Sequence, residues 1–223
     1  MDINSRSGRK KNMFLNRLSF VIGRGTYTVL NPFFYIIFRI FLRLKIEGED
    51  LRGKKGPLIV ISNHASWIDP FLIGSSFPFA SCLFPVRYAV FPLYYYSFLP
   101  FMLLTGSFPA KSGISLKSSL RHASKTLDAG GVVGIFPEGR RVSPGEKIRK
   151  GKCGAVFLHY AKGAPILPVR IKGNEGMTVK DFLLRRRRVT VKIGKAIHLP
   201  RSAKTKADLN VFSENLVRHI YSM

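Results

Sequence analysis

The chain has 223 residues, enough for one domain with an appended segment and a core that needs no disulfide framework. Its 37 lysines and arginines against 12 acidic residues give a formal net charge of +25, far past what solubility asks, so an anionic partner is expected. Cys82 and Cys153 form no CxxC pair, and the histidines show no HxxxH or HExxH spacing, so neither a zinc site, another metal nor a cofactor is expected. A hydrophobic share of 46% in so basic a chain favours a membrane surface, with anionic headgroups and apolar depth, over nucleic acid.

Residues 1–12 are polar and basic and are expected to be disordered or to lie on headgroups. Met13 to Gly23 places Phe14, Leu15, Leu18, Val21 and Ile22 on one helical face. Pro32 to Leu44 is aromatic and aliphatic, with Arg39, Arg43 and Lys45 interleaved or following. The charge-free run between Arg24 and Arg39 contains Asn31 and Pro32 and is shorter than the roughly 20 apolar residues of a span. Residues 1–45 therefore read as a basic amphipathic membrane-association segment lying in the interface, with arginines snorkelling outward. The alternative is an ordinary helix packed on the core. No secretory signal is evident, since no short apolar stretch ends in a small-residue cleavage site.

Residues 46–223 read as an α/β domain. The first core strand is Leu58 to Ser62, and Pro70 to Ser76 is a short helix with Asp69 as its N-cap and Pro70 at its first position. Between Asp69 and Lys111 the only formal charge is Arg87. That stretch predicts a strand near Cys82–Val90 and then a short apolar helix, broken from a span by Pro92, Pro100, Gly106 and Pro109. This helix either packs in the core or walls an apolar groove facing lipid. Helices follow over Ser115–Gly130 and Lys150–Lys162, strands over Val132–Phe136 and Pro165–Ile171. Arg185–Arg188 precedes a last strand, Val189–Gly194, and Asp208–Tyr221 closes as an amphipathic helix. Strand–helix alternation with apolar rather than alternating strands predicts a mixed, mostly parallel sheet covered by helices. Ligands then bind at the carboxyl ends of the strands.

Two stretches at such strand ends carry chemistry. The first is Ser62-Asn63-His64-Ala65-Ser66-Trp67-Ile68-Asp69-Pro70. On one continuous helix His64 and Asp69 would point roughly 140° apart. A strand-to-helix loop instead lets them meet, because Pro70 disfavours helical backbone at Asp69. Histidine takes a proton near neutral pH, and a carboxylate on its other ring nitrogen fixes the tautomer. The bland alternative is a structural histidine beside a helix cap. The second stretch is Gly134-Ile135-Phe136-Pro137-Glu138-Gly139-Arg140-Arg141. Arg140, with Arg141 beside it, can grip a phosphate through charge-assisted bidentate contacts, and Gly139 permits close backbone approach. Glu138 would orient Arg140 or bond a ligand hydroxyl. Taken alone, this stretch is also compatible with a solvated surface turn.

Together the two stretches resemble the glycerolipid acyltransferase family of the lysophosphatidic acid acyltransferase type. That family carries Asn-His-x4-Asp, then Phe-Pro-Glu-Gly-x-Arg, then a proline-centred apolar strand. Asn63, His64 and Asp69 match the first motif, and Phe136 to Arg140 the third. Lys150 to Ala155 resembles the family's lysine-glycine helix start, and Pro168 with Val169 and Ile171 the fourth motif. The second motif departs: Gly106 fits, Lys111 is the nearest cation, and Ser112 stands at the arginine position. The resemblance implies His64 as catalytic base, Asp69 as its partner, and Glu138, Gly139, Arg140, Lys111, Gly106 and Pro168 around the substrate.

The implied reaction moves a fatty acyl group from an acyl-coenzyme A or acyl carrier protein thioester to a lysophospholipid hydroxyl. The favoured acceptor is 1-acyl-glycerol-3-phosphate, giving phosphatidic acid; another lysophospholipid or a lyso-aminolipid is the alternative. No serine or cysteine stands beside the base, so the acceptor hydroxyl attacks directly, and no G-x-S-x-G elbow supports a hydrolase. No nucleotide-binding glycine loop is present. The expected location is an anionic membrane surface, peripheral or monotopic on the cytoplasmic face, with no nucleic acid partner. A non-enzymatic nucleic-acid binder using Arg185–Arg188, and a degenerate membrane scaffold, are the competing readings.

Overall fold

A computed structural model describes residues 31–50, 56–76, 86–90, 108–109, 120–148, 150–200 and 205–223. Residues 31–41 are helical (α1). There follow β1 (Lys45–Gly48), β2 (Leu58–Ser62), α2 (Asp69–Ser76), β3 (Val86–Val90), β4 (Phe108–Pro109), α3 (Arg121–Asp128) and β5 (Val132–Ile135). The chain ends with α4 (Gly154–Lys162), β6 (Ile166–Lys172), α5 (Val179–Leu183), β7 (Thr190–Ile193) and α6 (Lys206–Ser222).

The strands form one seven-stranded sheet in the order β1-β7-β6-β2-β5-β3-β4. Every neighbouring pair is parallel except β6 and β7, so β1 and β7 run against the other five. This is the expected mixed, mostly parallel α/β sheet. β2 lies at its centre and is buried along its whole length. Leu58 and Val60 point to one face, where they join Leu167, Val169 and Ile171 of β6. Ile59 and Ile61 point to the other, with Val133 and Ile166. A strand covered on both faces must be apolar at every position, and for that reason β2 shows no alternation in the sequence.

Helices α1, α2 and α5 contribute to the core of the first face through Phe38, Leu72, Ile73 and Phe182, with Leu42 just past the end of α1. Helices α3, α4 and α6 supply the second through Ala123, Leu127, Val156, Leu158, Leu216 and Ile220. Phe38, Leu42 and Leu44 are 3%, 0% and 0% exposed. Burying one such side chain contributes about 1.5–3 kcal/mol, so these three seat α1 on the sheet whatever its outer face meets. Residues 38–44 thus share one core with the sheet.

Several boundaries differ from expectation. β1 is an edge strand with the exposed sequence Lys-Ile-Glu-Gly, which carries no apolar signal. Helix α4 begins at Gly154 rather than Lys150. The Lys152 amide donates to the Pro137 carbonyl at 2.7 Å, and Gly151 lies so close to α6 that a Cβ would sit 2.6 Å from the Ser213 carbonyl. Asp69 does not cap α2 in the expected way: its carboxylate bonds amides that precede it, those of Ala65 and Ser66. α5 had no counterpart in the sequence reading. The expectations for residues 13–30, for the apolar helix after Val90 and for residues 115–119 lie outside the described residues.

Candidate active site

Register places the loops. Ile61 of β2 pairs with Ile135 of β5, and Ser62 with Val169 of β6. Three chains therefore leave the sheet at one carboxyl edge, carrying residues 63–68, 136–153 and 173–178. Asn63 locks the first to β6: its side chain donates to the Ile171 carbonyl at 3.0 Å and accepts from the Ile171 amide at 2.8 Å.

His64 Nδ1 lies 2.8 Å from Asp69 Oδ2. A carboxylate only accepts, so the Nδ1 proton points to Asp69, and Nε2 is the nitrogen left to take a proton. The same Oδ2 accepts the amides of Ala65 and Ser66, each at 2.8 Å. Oδ1 accepts from the Asn174 side-chain amide on the loop after β6. Asp69 is 0% exposed and held by four donors, while the His64 side chain keeps 19% of its surface in solvent. The imidazole stacks on Phe136 at 4.0 Å between centroids and 16° between planes, which fixes its tilt.

Glu138 is 2% exposed and faces inward. One oxygen accepts the His64 amide at 2.8 Å and the other the Tyr221 hydroxyl of α6. The Val142 amide in turn donates to the His64 carbonyl at 2.7 Å. The His64 backbone is thus pinned on both sides by the 136–142 turn. Burial pushes the Glu138 carboxyl above the ordinary value, against the opposing pull of the Tyr221 and His64 hydrogen bonds. Burial, and then the bond to Glu138, push the Tyr221 phenol up as well. The Arg170 guanidinium lies over the Tyr221 ring, 4.0 Å from its centroid.

The turn itself is built on Gly139, at φ 73°. A Cβ there would lie 2.5 Å from Lys152 Nζ, so only glycine lets that ammonium fold over the turn. Glu138 does not orient Arg140. Arg140 is half exposed and forks onto Glu146, with contacts of 2.6 and 3.2 Å. Counted along Phe-Pro-Glu-Gly-x-Arg, the pattern's arginine is Arg141, one residue past Arg140. Arg141 is exposed, and its guanidinium has no partner among the described residues. Pro168 is buried within β6, its ring against Gly194. Gly106 and Lys111 lie outside the described residues. Among the described residues no group of three or more His, Cys, Asp or Glu is arranged to hold a metal, and no serine or cysteine side chain bonds His64.

The residues that the sequence did not disclose are Asn174, Tyr221 and Arg170. Asn174 sits in Gly-Asn-Glu-Gly, which reads as turn chemistry alone. Tyr221 sits 83 positions from Glu138 on a helix whose pattern marks only its core face.

The site can be set beside known proteins. A family model described as Acyltransferase matches residues 43–172. The 1-acyl-sn-glycerol-3-phosphate acyltransferase of Saccharomyces cerevisiae is 30% identical over 162 residues, covering 67% of this chain and 50% of that protein. The chloroplastic 1-acyl-sn-glycerol-3-phosphate acyltransferase LPAT1 of Arabidopsis thaliana is 29% identical over 166 residues, covering 71% and 44%. This chain spans about half the length of these curated relatives. The crystal structure of the 1-acyl-sn-glycerophosphate acyltransferase PlsC from Thermotoga maritima superposes with a TM-score of 0.58 at 21% identity, covering 96% of this chain and 97% of that one. The fold is therefore the same.

Proposed function

The chain belongs to the Acyltransferase family, and we propose that it transfers a fatty acyl group from a coenzyme A or acyl carrier protein thioester to a lysophospholipid hydroxyl. The first acceptor proposed is 1-acyl-glycerol-3-phosphate, giving phosphatidic acid. The observation that carries this reading is the His64–Asp69 pair, closed at 2.8 Å at the carboxyl end of β2. The names of the relatives support the acceptor.

In the proposed mechanism the acceptor hydroxyl attacks the thioester carbonyl while His64 Nε2 takes its proton. The tetrahedral intermediate expels the thiolate, and the imidazolium returns the proton to that sulfur. The products are the ester and the free thiol, with no acyl-enzyme. Asp69 holds the ring orientation and steadies the charge on the imidazolium. Arg141, Lys111 and Lys152, whose side chain lies over Gly139, are proposed for the acceptor phosphate. Arg140, engaged with Glu146, shapes the turn. Residues 1–45 are proposed to hold the enzyme on an anionic membrane, peripheral on its cytoplasmic face. No helix among the described residues is long and apolar enough to cross a membrane.

The test is transfer of labelled acyl groups from each thioester to a panel of lysophospholipids. Wild type should convert the phosphate-bearing acceptor fastest, and His64→Ala should lose about a hundredfold or more in kcat. A folded His64→Ala protein at the wild-type rate removes the mechanism. Preference for another lyso-lipid would replace the acceptor and leave the chemistry intact.

A further inference from the structure

Helix α5 presents its large apolar side chains to solvent. Val179, Leu183 and Leu184 are 62%, 60% and 51% exposed, although Phe182 between them is turned inward. The next residues are Arg185, Arg186, Arg187 and Arg188. Asp181, the only carboxylate between Val179 and Arg188, caps the helix with Thr178 and lies 3.6 Å from Arg187. Arg185, Arg186 and Arg188 are exposed and have no acidic partner among the described residues.

This segment is joined to α1. The Phe182 ring packs on Phe41 at 5.3 Å and on Phe38 at 6.4 Å. The Val189 amide donates to the Leu42 carbonyl at 3.0 Å, so the arginine run enters the sheet beside the end of α1. Helix α1 carries its own outward stripe, Phe33, Ile36 and Ile40. Their spacing of three and four residues puts them within roughly 60° of one another on the helix. Arg39 and Arg43 are exposed beside them. The Arg39 guanidinium donates to the Leu44 carbonyl at 2.9 Å and meets no carboxylate among the described residues. Two neighbouring elements thus expose aliphatic and aromatic side chains among arginines that have no acidic partner among the described residues.

We propose that Val179–Arg188 and the outer stripe of α1 form one docking surface for an anionic lipid bilayer. Exposed apolar side chains favour a phase with apolar depth, and such arginines favour anionic headgroups. A nucleic acid backbone would use the arginines and leave Leu183, Leu184 and Ile36 in water, so the bilayer is the occupant that uses both halves. The surface lies next to the site. Phe34 of α1 packs on Phe71 of α2 at 5.1 Å, and Asn174, which bonds Asp69, precedes α5 on the same loop. A bilayer seated here presents its lipids beside the His64 loop. The inference deepens the membrane part of the proposed function, and its test needs no catalysis.

The experiment is co-sedimentation of the full chain with vesicles of phosphatidylcholine, with and without phosphatidylglycerol. One variant combines Leu183→Glu with Leu184→Glu; another combines Arg185→Gln, Arg186→Gln and Arg188→Gln. All five side chains are exposed, so circular dichroism should match wild type. Each variant should bind the anionic vesicles roughly tenfold more weakly or worse. A folded variant of either kind that sediments as wild type does overturns the proposal. So does an arginine variant that loses duplex DNA binding while keeping its vesicle affinity, which would make the surface a nucleic-acid site.

Discussion

At the scale of single residues, the site is governed by how two buried carboxylates are satisfied. Asp69 has four donors and Glu138 two, and an unpaired buried acceptor costs about 1–3 kcal/mol. Tyr221→Phe removes one donor from Glu138 and keeps the ring over Arg170. Tyr221 is not proposed to touch substrate, so it acts by positioning the turn that pins His64. The expected result is a kcat lower by between about ten- and a hundredfold with the acceptor KM unchanged. Steady-state kinetics decide it: both constants at wild-type values would make Tyr221 a packing residue. Glu138 gives a second prediction, in stability. Its folded-state carboxyl is raised above the ordinary 4.5, so the folded state binds this proton more tightly than the unfolded. Its contribution is fully present below about pH 4.5 and is lost as pH rises through the raised value. Glu138→Gln cannot titrate. The stability of the variant minus that of wild type should therefore grow with pH across this window, as urea melts at several pH values would show. A difference that does not change with pH would mean that burial does not perturb this carboxyl.

At the scale of elements, what was legible in the sequence followed from local pattern, and what was not followed from distant partners. β2, β5 and β6 are legible because buried parallel strands are continuous apolar runs, Leu-Ile-Val-Ile being the plainest. The His64–Asp69 loop is legible because its chemistry closes within five residues and Pro70 marks where the helix begins. β1 was hidden, since an edge strand paired only with β7 is free to be Lys-Ile-Glu-Gly. The reversed direction of β7 was equally hidden, because strand orientation leaves no mark on periodicity. The partners of Glu138 were hidden because they are distant in the chain. Nothing near it in sequence shows that a tyrosine 83 residues away meets it, or that Glu146 claims Arg140 instead. α5 escaped because five residues hold too little period to detect. Its exposed leucines make sense as a surface only beside α1, and that adjacency belongs to the fold.

At the scale of the whole molecule, the net charge of +25 acts on folding and on binding with opposite signs. The excess positive charge repels itself in the compact state. The ion pairs that oppose it are mostly exposed, such as Lys45 with Glu47 and Arg140 with Glu146. Exposed pairs contribute about 0–1 kcal/mol each, too little to offset a field of one sign spread over the surface. Raising ionic strength from about 0.01 to 0.15 M shortens the screening length from about 30 to about 8 Å. That damps the long-range repulsion more than contacts of 3 to 4 Å. Folding stability should therefore rise with salt, read as a higher urea midpoint, urea being uncharged. Over the same range affinity for anionic vesicles should fall, because the same screening weakens the attraction between arginines and headgroups. A urea midpoint that falls with salt would mean that local pairs, rather than net repulsion, dominate the folded state. Opposite trends would mean that a bilayer replaces with fixed anionic charge the screening that salt supplies in solution, so the protein is most stable when seated on an anionic surface.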